Sequence, residues 1–242
     1  MLNQKEIAQT SSQTYVDEGL RQYMMRVYNY MAGGLCVTAL ASFVVMSNPS
    51  LLSLFFKVTP QGATMSALGW LVLFAPLLMV FAFGWVIAKG SVRQVQGTFW
   101  AFAAVMGISL TPTLLAYTGA SVTRIFLVTA AMFGAMSIYG YTTKRDLTSM
   151  GSFLIMGVWG IIIAMLVNLF LHNQGLSLAL SCLSVLAFTG LTAYDTQVIR
   201  RIYAEYDSSD SMTRKAVAGP LSLYMDFSNV FIALLNLFGD RR

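Results

Sequence analysis

Apolar residues fall in seven long runs, near residues 27–46, 66–88, 96–117, 122–142, 150–171, 176–199 and 216–238. A membrane-spanning helix needs about 20 mostly apolar residues, and each run is long enough. The pattern predicts an all-α membrane protein of seven transmembrane helices, forming one domain over residues 27–242. Pro49 and Pro60 bracket the first connection, in which Leu51 to Phe56 is too short to span. Lys89 and Arg93 separate the second and third spans. Thr142 to Asp146 separates the fourth and fifth, and His172 to Gly175 the fifth and sixth. Arg200 to Lys215, the longest polar connection, joins the last two spans. Residues 1–26 are polar and mixed in charge, without the apolar core of a signal peptide. They read as a mobile cytoplasmic arm whose second half forms a short surface helix.

Composition agrees with the membrane class. Hydrophobic residues make up 57% of the 242 and charged residues 10%, against about 25% charged in soluble domains. The mean hydropathy is +0.67. Cys36 and Cys182 lie inside apolar runs and read as small core residues, not a bridge. Gly33 with Gly34, Ala130 with Gly134, and Gly157 with Gly160 are expected to let helices approach closely. Pro76 and Pro112 fall inside spans two and three, where kinks are expected.

The net charge of +5 is unevenly placed. Eleven Lys and Arg residues fall on the N-terminal arm and the even-numbered connections, and four on the other side. The positive side is cytoplasmic, so the N-terminus is expected inside and the C-terminus outside the cytoplasmic (inner) membrane. A re-entrant last segment would instead bring Arg241 and Arg242 inside. The expected first partner is the lipid bilayer. No basic patch is interleaved with aromatic residues, so nucleic acid is not an expected partner.

Two acids lie within spans. Asp195 sits near the cytoplasmic end of the sixth and Asp226 well inside the seventh. A charge at mid-membrane costs about 2.5–3.5 kcal/mol on insertion scales, so such residues usually face the bundle interior. Gly219, Ser222, Asp226, Asn229, Ala233 and Asn236 recur at helical spacing on the seventh span. Ser177, Ser181, Ser184, Thr192 and Asp195 do so on the sixth, interrupted by Phe188. Two such stripes predict facing helices or a shared wet cavity. Close carboxylates in a low-dielectric site share a proton and titrate in coupled steps. Deprotonated, they offer hard oxygen ligands to a cation such as calcium. A structural reading stands beside this one, because Asp195 is five residues from Arg200, about 7.5 Å along a helix, close enough to cap a local base.

The segment Tyr194-Asp195-Thr196-Gln197 resembles the signature of the Bax inhibitor-1 family, the transmembrane Bax inhibitor motif proteins. Asp146 to Gly151, Gly107 to Pro112, and Leu221 to Phe227 with Asn229 and Leu234 to Gly239 fit it too. The short polar N-terminus is similar to bacterial members. The resemblance implies a seven-helix fold with a central last helix wrapped by six others. It implies a pH-sensitive calcium leak in which Asp195 and Asp226 form the proton sensor and a calcium site, with Ser222, Asn229, Asn236 and Thr192 as polar lining. It also implies a basic latch on the sixth-span acid. The nearest residues here are Lys89 and then Arg93, and a lysine cannot form the bidentate pair that arginine makes. No resident cofactor is implied; calcium is the permeant or bound ion. Two other roles stay open: a regulator of a membrane-bound AAA protease, and a secondary cation transporter or antiporter.

Enzyme chemistry is not expected. His172, the single histidine, sits in an outer connection without a second His or a Cys near it in sequence. No H-E-x-x-H, P-loop or G-x-G-x-x-G run occurs. The 15 methionines, mostly within spans, read as packing residues.

Overall fold

The computed structural model describes the backbone of residues 4–59, 62–203 and 209–242, and the side chains of 18–56, 64–203 and 219–242. Eight helices run in the order α1 (Gln4–Ser47), α2 (Pro49–Phe55), α3 (Ala67–Lys89), α4 (Val92–Leu115), α5 (Gly119–Thr142), α6 (Thr148–Leu171), α7 (Gln174–Ile202) and α8 (Ser209–Phe238). All but α2 are long and apolar enough to cross a membrane. The spanning parts match the seven predicted runs, with two differences at the edges.

The first difference is at the N-terminus. Helix α1 is unbroken across residue 26, and Tyr23, Met24 and Val27 are buried together. Core packing of the first span is therefore under way by Tyr23, earlier than hydropathy alone predicts. The polar residues Arg21, Gln22 and Arg26 hid this start, because they occupy the exposed side of a helix whose other side is already core. The second difference is in the first connection. After α2, strand β1 (Phe56–Thr59) pairs antiparallel with β2 (Gly62–Met65), placing Phe56 opposite Met65. The Asn48 carboxamide starts α2 by accepting from the Ser50 and Leu51 amides.

The helices have uneven burial. In α8, 61% of the apolar window from Gly219 to Phe238 is buried, against 6% in α6 and 11% in α3. Helix α8 packs on α1, α4, α5 and α7, while α6 packs chiefly on α7 and α3 chiefly on α4. The outward faces carry Phe81, Trp85, Phe153, Trp159 and Phe170, all exposed. An apolar exterior of this extent suits hydrocarbon, not water.

The C-terminus decides how far α8 travels. Arg241 bridges to Tyr117 in the α4–α5 connection, the Thr118 amide donates to the Asp240 carbonyl at 3.0 Å, and Arg124 pairs with Asp240 at 3.0 Å. Helix α8 thus ends beside the C-terminal end of α4, at the opposite end of the bundle from Glu18 and Ile202. It is not re-entrant. Arg21, Lys89, Arg93, Lys144, Arg200 and Arg201 lie at the first end, here called the basic end.

Close approach uses fewer of the expected glycines. Gly33 and Gly34 lie under the Trp100 and Phe99 rings. Gly134, Gly157 and Gly160 face open space instead. The tight crossings are at Gly107, where a Cβ would meet the Thr38 carbonyl, and Gly140, where it would meet the Ala193 backbone. Cys36 and Cys182 are also not core residues; both are free and on exposed, outward faces.

These contacts set an expected pair of outcomes. Gly140→Leu must part α5 from α7 and should lower unfolding stability by about 1–3 kcal/mol. Gly157→Leu should leave the thermal midpoint of the detergent-solubilised protein unchanged. Equal midpoints for the two variants would show that the Gly140 crossing is not constrained.

Candidate proton and ion site

Helix α7 is fixed at both ends by its own sequence. The Asn173 side chain accepts from the Leu176 amide at the start. Arg200 and Arg201 occupy the last turn, where cations suit the helix dipole. The Arg200 guanidinium donates to the Tyr141 carbonyl at 2.6 Å and lies 5.3 Å above the Tyr141 ring. Arg201 pairs with Asp146 at 3.0 Å.

Three residues of the Tyr194–Gln197 segment are tethers. Tyr194 lies against Gly151 of α6, where any Cβ would strike its ring. The Thr196 hydroxyl is 3.5 Å from the Tyr28 hydroxyl of α1. The Gln197 Nε2 donates to the Arg145 carbonyl at 2.8 Å, and its Oε1 accepts from the Leu147 amide at 2.9 Å. One buried carboxamide thereby satisfies both polar groups of the α5–α6 turn. The fourth residue, Asp195, turns towards α8, where the Ser222 hydroxyl donates to its carboxylate. Sequence spacing marked Asp195 and missed the tethers, because their partners lie 43 to 168 positions away in sequence, some of them backbone groups.

Asp195 and Asp226 occupy one level. Asp195 is seven residues from the Ile202 end of α7, and Asp226 is one helical turn beyond Ser222 on α8. Asp195 is thus about 10 Å inside the basic end. Asp226 is 4% exposed, and the Asp195 carboxyl is near enough to act on it electrostatically. The Asp226 Oδ2 has no hydrogen-bond partner among the described residues. The two acids thus lie within electrostatic reach of each other on the packed helices α7 and α8.

Cavities lie on both sides of Asp226. One of about 210 Å³, towards the basic end, is lined by Tyr23, Asp195, Gly219 and Ser222. The other, of about 270 Å³, lies towards the opposite end between α6, α7 and α8, lined by Ser181, Ser184, Asn229 and Asn236 among apolar side chains. Asn229 donates back to the Met225 carbonyl at 2.9 Å, which leaves its carboxamide oxygen free to accept. Asn236 accepts from the Tyr117 hydroxyl at 2.9 Å. Thr192, buried, donates to its own helix at Phe188. The single proton of Ser222 has a second acceptor, the Gly219 carbonyl at 3.0 Å. A protonated Asp195 would complete a chain from Asp195 through Ser222 to Gly219.

Lys89 and Arg93 are exposed, and among the described residues no ion pair joins either to Asp195. No group of three acids, His or Cys converges among the described residues, so a cation here would rest on two carboxylates and neutral oxygens. His172 is exposed, with φ of 50°, and caps the end of α6. Elsewhere, Tyr224 holds α8 to α1. Thr38 gives its proton to the Gly34 and Ala103 carbonyls, so the Tyr224 hydroxyl must donate to Thr38, at 2.6 Å.

The family model described as inhibitor of apoptosis-promoting Bax1 matches residues 20–242. The chain belongs to this Bax inhibitor-1 family. It is 40% identical to an uncharacterised protein of Rickettsia prowazekii, with 98% of each chain covered. It is 38% identical to the inner membrane protein YbhL of Escherichia coli, covering 93% of this chain and 94% of the relative. An uncharacterised membrane protein of Streptococcus pyogenes is 33% identical over 93% of this chain and 96% of its own. This family member is a multi-pass membrane protein.

Outside the spans, Asp146 is held down to about 2 by hydrogen bonds from the Thr148 hydroxyl and amide, then by Arg201. A depressed carboxyl supplies stability in full above about 3.8 and loses it as pH falls towards about 2. Asp146→Asn should therefore lower the thermal midpoint by equal amounts at about pH 5 and about pH 8. A smaller loss at the lower pH would show that Asp146 titrates in that range.

Proposed function

We propose that this Bax inhibitor-1 family protein is a slow, pH-gated calcium leak of the cytoplasmic membrane, with Asp195 and Asp226 as proton sensor and calcium site. The reading rests on one observation above the rest: a buried acid with an unpartnered oxygen lies on the helix that helps line two cavities with polar walls. Flux follows the existing gradient and needs neither ATP nor covalent chemistry. Carboxylates held together in a low-dielectric interior share a proton. A shared proton closes the seam between α7 and α8, and its loss leaves two like charges that repel and attract a cation. Calcium accepts such mixed oxygen ligation. Ser222, Asn229 and Asn236 supply neutral oxygens along the path, and Thr192 supports the wall. Lys89 is the candidate latch, with Arg93 behind it, and would reach Asp195 only after α3 moves inward. The excess of Lys and Arg at the basic end supports a cytoplasmic N-terminus and an outer C-terminus. The Escherichia coli relative named an inner membrane protein supports the location.

Calcium flux into liposomes, measured from about pH 5 to about pH 8, tests this. Wild type should show a pH-dependent flux above empty liposomes, and Asp226→Asn should alter that dependence. Equal flux in wild type and an Asp195→Asn/Asp226→Asn double variant at every pH would refute the sensor. No flux at any pH would move the function to regulation of a membrane partner, with the acids kept for packing.

A further inference from the structure

A groove of about 540 Å³ runs down the outside of the bundle between α1 and α5, beginning at the basic end. Arg21 and Tyr141 are at its mouth. Met24, Met25 and Ile138 form its flanks, and Tyr28, Phe133 and Gly134 its far end. From Arg21 to Tyr28 is seven residues of helix, about 10 Å at 1.5 Å per residue. The groove is apolar along its length and basic at one end. Partway down lies Ser137, 6% exposed, whose hydroxyl has no hydrogen-bond partner among the described residues. Serines in apolar helices usually donate to their own backbone, as Ser181 does to Ser177. The Ser137 hydroxyl itself is buried beneath the groove wall, so the accessible polar group of the groove is the Arg21 guanidinium at its mouth.

We propose that this groove is a binding site for one anionic phospholipid of the leaflet at the basic end. The phosphate sits at Arg21, and an acyl chain lies along Met24, Met25 and Ile138 over Gly134. The charges at the mouth favour an anion. Lys144 and Arg200 line the adjoining cavity, reached from the groove through Leu20 and Thr142, the chain neighbours of Arg21 and Tyr141. Two acids lie near. Asp146 is already engaged by Arg201. Glu18 pairs with Arg21 at 3.5 Å, but both side chains are more than half exposed, and such a pair yields readily to a stronger partner. A hydrocarbon-facing groove is filled by lipid by default; the arginine at its mouth selects which lipid.

The floor of the groove touches the aspartate layer. Phe133 packs on Phe227 with ring centroids 5.6 Å apart, and Tyr28 contacts Thr196. Those partners are the chain neighbours of Asp226 and Asp195. Lipid binding itself does not depend on the calcium reading and is measured without calcium.

The test is native mass spectrometry of the full chain in detergent, titrated with dioleoylphosphatidylglycerol or dioleoylphosphatidylcholine. Wild type should take up one phosphatidylglycerol about fivefold more tightly than phosphatidylcholine, the gain expected from one well-placed basic residue. Arg21→Gln should bring the ratio close to one. Gly134→Leu should abolish the tight adduct, because a side chain there enters open space and fills the groove without clash. Met25→Trp fills the same groove from the other wall and guards against a folding defect, and a thermal midpoint identifies any variant that is misfolded. Equal uptake of both lipids by wild type would overturn the proposal. So would phosphatidylglycerol binding that survives both groove-filling variants, or its full displacement by inorganic phosphate, which would make Arg21 a free-anion site.

Discussion

An aspartate well inside the last span cannot face hydrocarbon. Insertion of a carboxylate at such depth costs several kcal/mol, and the neighbouring Tyr224, Ser228 and Asn229 add polar groups that also need partners. The arrangement of helices follows from hiding this one helix. Helix α8 packs on α1, α4, α5 and α7, and its apolar window is the most buried of the seven. Each contributes something specific: Thr38 accepts from Tyr224, Phe102 and Phe133 meet α8 rings edge-on, and Asp195 meets Ser222. Helices α3 and α6 carry no ionisable group within their spans apart from the terminal Lys89. They can stay outside, where their burial is least.

The same requirement explains the segment around Asp195. A carboxylate in a seam is useful only if the seam holds its register. Tyr194 fixes α7 to α6, Thr196 lies by Tyr28 of α1, and Gln197 fixes the α5–α6 turn. Four consecutive side chains thus point in four directions, as a helix turning 100° per residue demands. Three are spent on position, so that the fourth is delivered to α8.

Much of this was legible in the sequence, and the reasons are physical. Seven spans are visible because a bilayer demands about 20 apolar residues from each helix. The polar stripe on the last span is visible because its period is that of a helix. The β1–β2 hairpin was not foreseen, since strands of four residues carry too little alternation to separate from a loop. The true start of the first span was masked by charges on its exposed face. Outward-facing Cys36 and Cys182 show a limit specific to membranes: an apolar neighbourhood in sequence does not distinguish core from lipid. Glycines fail as markers of close packing for the same reason. Gly140 and Gly157 sit in equally apolar runs, and only the former has a neighbouring backbone against it.

Helix α8 is fastened unequally along its length. At the end opposite the acids, Asp240 and Arg241 are joined to the α4–α5 connection by an ion pair and backbone hydrogen bonds, and Asn236 is tied to Tyr117. Midway, Tyr224 is bonded to Thr38. At the level of the acids, among the described residues, the Ser222 hydroxyl lies between Asp195 and the Gly219 carbonyl, with two acceptors for a single proton. If charge on the acid pair drives a rearrangement, it acts where this polar link can switch acceptors. The movement then belongs to the basic end of the α7–α8 seam, while the far end serves as the fixed point. This places the first opening at the cavity beside Tyr23 and Gly219. The Asn229 and Asn236 cavity is already formed and needs only to be reached.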